Sequence, residues 1–166
     1  MKYFLIIAVF FCLNNCNPKK QQSPAQKNTL VLVDSFSGKN IADTIIYDVI
    51  IKNPNPDDQW TNECLKSLKK DSLIDMIFEL AYSENADVYD FFTGEKLTKR
   101  SIKKLEKQKD FNRDLIGKIQ FTERWYFDPI NQKMNKKILS MTLGYEIYYS
   151  DSIFGGYKPA FKITMK

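Results

Sequence analysis

Gly117-Lys-Ile-Gln-Phe-Thr-Glu-Arg-Trp-Tyr-Phe-Asp128 alternates between apolar and polar residues. Ile119, Phe121, Trp125 and Phe127 fall on one side of an extended chain, and Lys118, Gln120, Thr122 and Arg124 on the other. This is the period of a β-strand with one face on a core. Asp128-Pro129 ends it, because proline has no N–H to give to a ladder. Downstream the alternation resumes at Leu139, Met141, Leu143, Tyr145, Ile147 and Tyr149, and again at Tyr157, Phe161, Ile163 and Met165. Gly155-Gly156 reads as the turn between those two runs. Residues 116–166 are therefore expected to form a three-stranded antiparallel meander. Trp125, Phe127, Leu143, Tyr145, Phe161 and Ile163 should share one core.

Upstream of the meander the pattern changes. Asp43–Lys52 is a near-continuous apolar run, which suits a strand covered on both faces, and Asn53-Pro54-Asn55-Pro56 stops it. Trp60, Cys64 and Leu68 are spaced as one face of a helix over 60–70, with Asp57 or Asp58 as its N-cap. A second helix is expected over Ser72–Glu84, with Leu73, Ile74, Ile77, Leu80 and Ala81 as its apolar stripe. Ser72 and Asp75 would form its capping box and Asn85 would end it. Asp87–Phe92 has strand character. Thr98 opens a third helix to about Lys109, whose many lysines imply a solvated face. Strands first, helices in the middle and a meander last make an α+β domain over 29–166, its sheet mostly antiparallel.

The N-terminus has a different character. Lys2 precedes an unbroken apolar run of eleven residues, Tyr3–Leu13. That is too short to span a bilayer as a helix and has the length of a signal-peptide core. Leu13-Asn-Asn-Cys16 follows and resembles a bacterial lipobox, apart from Asn15 where a small residue is usual. Residues 1–15 are accordingly expected to be a lipoprotein signal peptide, with lipidation at Cys16. The alternative is secretion without a lipid. Residues 16–28 are rich in Asn, Pro, Lys and Gln and read as a flexible tether. The implied location is the cell envelope, lipid-anchored, at the outer membrane facing the periplasm.

Composition narrows the chemistry. The formal net charge is +5, and loss of the leader removes only Lys2. The charges are mixed rather than gathered into a dense basic stripe, so nucleic acid is not expected as a partner. The chain has no histidine, the commonest general base and metal ligand. It also has no CxxC motif and no phosphate-binding glycine loop. No catalytic residue, metal site or cofactor is expected. Cys64, the cysteine left after the anchor, reads as a small core residue or as an inter-chain thiol. Glu123 falls on the apolar side of its strand, between Phe121 and Trp125. A carboxylate buried there must be paired or protonated. Glu123, Trp125 and Phe127 are thus the candidates for partner binding or for core packing.

Glu123-Arg-Trp-Tyr-Phe-Asp128 also resembles a Glu-x-Trp-x-Phe-Asp/Glu stretch in the N subunit of the gliding-motility and type IX secretion machinery, the GldN/PorN family. Lys136-Lys-Ile-Leu139 and Tyr157-Lys-Pro-Ala-Phe-Lys-Ile163 are similar to the basic–apolar strand and the Lys-Pro-Leu-Phe-Trp-Ile segment that follow it there. The likeness extends over about residues 57–166. Leu139-Ser-Met-Thr-Leu-Gly144 departs from the family's Ile-Ile-Gly-Ile-x-Pro. The resemblance implies a non-enzymatic structural or adaptor subunit that joins another envelope protein. A small-molecule-binding envelope lipoprotein is the alternative.

Overall fold

The computed structural model describes residues 38–83, 85–149 and 153–166. The expected signal peptide, Cys16, the tether and residues 29–37 of the expected domain lie outside the described residues. Five strands form one antiparallel sheet: β1 Lys39–Ile50, β2 Ala86–Tyr89, β3 Ile116–Asp128, β4 Lys133–Tyr149 and β5 Ile153–Met165. Their order is β1-β3-β4-β5-β2. Three helices lie in the middle of the chain: α1 Gln59–Leu65, α2 Lys70–Tyr82 and α3 Lys99–Glu106. The α+β class and the C-terminal meander β3-β4-β5 are as expected.

The core lies between one face of the sheet and the helices. Helix α2 buries Ile74, Ile77, Phe78 and Ala81, spaced as a single helical stripe. Phe78 meets Phe161 of β5 edge to face, with ring centroids 5.3 Å apart. Phe111, just before β3, meets Tyr145 of β4 in the same way at 5.2 Å. Helix α3 contributes Ile102. Arg113 ties these pieces together: its guanidinium bonds Glu106 at the end of α3 and Asp75 in α2, and stacks 3.9 Å from the centre of the Phe78 ring.

Several local expectations are corrected. The apolar run in β1 is not covered on both faces. It is an edge strand, and Ile46 is 60 % exposed. Trp60 and Cys64 do not face a core: α1 buries no residue, and Trp60 is 78 % exposed. Asp58 does cap α1, accepting from the Thr61 N–H at 3.1 Å. Helix α2 starts two residues before Ser72 with no side-chain cap, and Ser83 rather than Asn85 caps its end. Thr98 caps α3, as read. Gly155-Gly156 is not a turn but lies inside β5. The ladder there steps from Ile147↔Gly156 to Tyr148↔Phe154, leaving Gly155 as an extra residue, and Gly156 takes φ +121°. The hairpin from β3 into β4 is also longer than expected, pairing Asp128 with Lys133.

Trp125 and Phe127 are outside the core of Leu143, Tyr145, Phe161 and Ile163. The alternation that predicted a shared core holds, but it outruns the helices. Trp125 is half-buried and Phe127 is 41 % exposed.

Candidate functional site

Besides Asp128, whose carboxylate accepts from the Ile130 and Asn131 N–H groups at the turn after β3, the sheet buries two carboxylates, Glu123 and Glu146. They lie at different places along it, and each is embedded among aromatic residues.

Glu123 stands where the β3–β4 ladder slips. The register passes from Thr122↔Ser140 to Glu123↔Ile138, leaving Leu139 as a bulge residue. The Tyr47 hydroxyl from β1 donates to Oε1 at 2.9 Å, and the Trp125 indole N–H donates to Oε2 at 2.8 Å. The Lys136 ammonium is 3.9 Å from Oε2. It also stands 4.6 Å from the Trp125 ring centre and 5.6 Å from that of Tyr47. Both carboxylate oxygens are therefore supplied with donors, and the cation is enclosed by two π faces. Burial, reinforced by the bond to Glu123, pushes the Tyr47 pKa up. Every member of this cluster is partnered, which makes it a structural clasp linking β1, β3 and β4.

Glu146 was not singled out in the sequence. In the alternation of β4 it follows Tyr145, which faces the core, so it should have met water on the opposite face. The structure buries it completely. A bulge at Gly117 is the reason: β3 steps from Ile116↔Tyr145 to Lys118↔Gly144. The freed Gly117 carbonyl accepts from the N–H groups of Ile51 and Lys52, at 2.8 and 3.2 Å. That delivers Lys52 to Glu146, its Nζ 2.6 Å from Oε2. The Tyr148 hydroxyl donates to the same oxygen at 2.8 Å. A methyl group on Gly117 would come 2.9 Å from Cε1 of Tyr157 and 3.0 Å from Oε1 of Glu146. Oε1 itself and the Tyr157 hydroxyl are both buried without a hydrogen-bond partner. Burial raises the Tyr157 pKa to about 12, helped by the negative charge of Glu146, and the bond to Glu146 raises that of Tyr148. A glycine in a lysine- and tyrosine-bearing strand pattern was the one signal that could have pointed here.

Glu146 and Tyr148 reach an open groove at the end of β4, which Asp110 and Lys158 also line. Among the described residues no three His, Cys, Asp or Glu side chains gather as metal ligands do. The hollow lined by Phe91, Lys118, Thr142, Tyr157 and Pro159 holds about 60 Å³. Wider grooves of about 550 Å³ beside β2 and about 400 Å³ beside the end of β4 open to solvent.

The surface is more distinctive than the interior. Strand β1 has no neighbour on its outer side among the described residues, and it exposes Ile41, Ile46 and Ile50. The other edge is different. β2 is only four residues long, and the turn after it folds back, with Leu97 N–H bonding the Val88 carbonyl at 2.7 Å. No helix among the described residues is long and apolar enough to cross a membrane. No protein-family model matches the sequence, and no curated protein matches it.

Proposed function

We propose that this chain is a lipid-anchored, non-enzymatic envelope protein whose folded body is a structural or adaptor subunit and docks another envelope protein along β1. One observation carries the docking: a twelve-residue edge strand with exposed isoleucines and no covering element among the described residues. Soluble proteins usually blunt such an edge, so one left open serves pairing with a partner strand. The resemblance to the gliding-motility and type IX secretion subunit supports the same reading. The apolar leader before Cys16 supports the anchor. The absence of histidine and the full pairing of Glu123 support a role without catalysis.

A photo-crosslinking residue placed at Ile46 in the native envelope tests the docking. It should yield one discrete adduct, while the same residue at exposed Met76 on α2 should not. Equal adducts from both positions overturn the edge as the docking site. Metabolic palmitate labelling tests the anchor, and equal labelling of wild type and Cys16→Ser overturns it. A hydrolase screen tests the absence of catalysis. Activity that disappears in Glu123→Gln with the fold intact overturns that part.

A further inference from the structure

The hairpin that joins β3 to β4 carries an apolar cluster at its end. Phe127 and Met134 are cross-strand partners, so their side chains share a face, and both are exposed. Ile130 stands in the turn between them and is 90 % exposed, the most of any large apolar residue among the described ones. The turn is built to hold it there. The Asp128 carboxylate accepts from the N–H groups of Ile130 and Asn131 at 3.0 and 3.1 Å, and from the Asn131 side-chain amide at 2.8 Å. Single exposed apolar side chains are ordinary on a soluble surface, but three gathered on one fixed tip mark a contact surface.

The exposed charges around the tip have one sign. Asp128 is the one acid in residues 125–136, and it is buried and committed to the turn. Lys133, its partner across the ladder, is exposed, as is Lys39, which pairs with Phe127 from β1. Apolar side chains flanked by cations suit a bilayer interface, where rings and aliphatic groups enter the acyl boundary and ammonium groups meet the phosphates.

The path of the chain favours a bilayer over a soluble partner. β1 begins at Lys39, opposite Phe127. Gly38, just before it, is pressed against the same place. A Cβ there would stand 2.7 Å from the Phe127 carbonyl carbon and 2.9 Å from the Asp128 nitrogen, and its φ of +120° suits glycine. Whatever path residues 17–38 take, the chain enters the fold against the base of this hairpin. An anchor at Cys16 therefore pulls on the end of the sheet that bears Phe127, Ile130 and Met134, and not on the opposite end, where β1 finishes at Ile50 beside Lys118.

We propose that the tip of the β3–β4 hairpin is a membrane contact: Phe127, Ile130 and Met134 enter the interface of a phospholipid bilayer, with Lys39 and Lys133 on its phosphates. The body then stands on the bilayer by the end at which the tethered chain enters. This rests on the lipid-anchored reading for the nearness of a bilayer, but not for the contact itself, and it leaves the middle of β1 open for docking.

The test uses the full chain with vesicles of phosphatidylethanolamine and phosphatidylglycerol that contain a phospholipid with a photoreactive diazirine on its acyl chain. After illumination, lipid adducts are mapped by mass spectrometry. Residues 127–134 should carry at least about fivefold more of them than the segment around exposed Met76 of α2. Ile130→Asn together with Met134→Gln should lower the tip labelling about tenfold. The melting midpoint of that variant should stay near the parent's, since both side chains are exposed. Palmitate labelling of the same chain reads the anchor separately. Tip adducts on a chain without palmitate support the contact while the anchor falls. A tip free of adducts on a chain that carries palmitate overturns the contact while the anchor stands. Adducts spread evenly over Met76, Trp60 and the tip also overturn it, because they report exposure and not placement. So does tip labelling that the double variant leaves unchanged. A photo-crosslinker at Ile130 in the native envelope gives the remaining outcome: one discrete protein adduct, with the tip free of lipid, would overturn the proposal and assign the tip to a protein partner.

Discussion

Tyr157 lies directly opposite Glu146 across the β4–β5 ladder, yet its hydroxyl and Oε1 of Glu146 are both buried and unbonded. The bulge at Gly117 explains the packing. It leaves room for the carboxylate and the ring under a residue without a side chain, and it brings Lys52 to the other oxygen. The arrangement concentrates one buried negative charge on one partly exposed positive one.

That imbalance makes the ion pair asymmetric to mutation. The Lys52 side chain is 33 % exposed and that of Glu146 is not exposed at all. Without Glu146, Lys52 can turn to water. Without Lys52, the carboxylate stays buried with only Tyr148 as donor. Lys52→Met should cost about 3–5 kcal/mol, the loss typical of an uncompensated buried charge. Glu146→Gln should cost roughly 1 kcal/mol, about one hydrogen bond. Urea melts of the two variants give the comparison, and equal losses would show that Glu146 is solvated or neutral.

Alkaline pH should reach the same cluster. The Tyr157 pKa is raised to about 12 by burial and by the charge of Glu146, and that of Tyr82 to about 12 by burial and its bond to Glu106. A raised pKa means that the folded state holds the proton more tightly than the unfolded chain, whose tyrosines titrate near ~10. The stability from these groups is therefore complete below pH ~10 and lost as pH rises towards about 12. Tyr157→Phe should flatten that alkaline decline and leave stability at neutral pH unchanged or slightly improved, since it removes an unbonded hydroxyl. Thermal melts between neutral and strongly alkaline pH test this. A decline as steep as that of the parent would exclude Tyr157 from it.

Trp125 should matter less to folding than its place in the alternation implies. Phe78 is fully buried in the core, so Phe78→Ala should cost about 3–5 kcal/mol. Trp125 is half-buried at the margin and acts mainly through its N–H to Glu123. Trp125→Phe, which keeps an aromatic ring but removes the donor, should cost about 1.5–3 kcal/mol, as hydrogen bonds to charged groups do. Chemical denaturation of both variants decides it. A loss in Trp125→Phe as large as in Phe78→Ala would place Trp125 in the core after all.

Much of the fold was legible because period-2 alternation and a helical stripe are written in single side chains. Ile119, Phe121, Leu143, Phe161 and Ile163 were readable in that way, as were Ile74, Ile77 and Ala81. What escaped depended on neighbours. The run Ile45-Ile46-Tyr47 looks the same in an edge strand as in a central one, and only sheet order tells them apart. Glycine marks a turn or a bulge with equal ease, so Gly155-Gly156 was misread and Gly117 passed over. Trp60 and Cys64 have helical spacing, but α1 meets nothing to bury them against. Glu123 was found because it breaks an apolar pattern. Glu146 was missed because it keeps one: its burial follows from a bulge on the neighbouring strand, and no local pattern records that.

The exposed isoleucines of β1 supply the last test, since they separate folding from docking. Ile46 lies well out in solvent. Ile46→Asp should change stability by less than about 0.5 kcal/mol, as surface substitutions usually do. If β1 pairs with a partner strand, an aspartate at its middle should abolish the adduct formed from a photo-crosslinker at Ile41, because charges on an edge oppose strand addition. Val49→Asp is the counterpart, since Val49 packs against the core beside Ile119. It should destabilise the fold by burying an unpaired charge. The expected pattern is a near-normal melt with no adduct for Ile46→Asp, and a lowered melt for Val49→Asp. An adduct that persists at full yield in Ile46→Asp would mean that β1 is not where the partner binds.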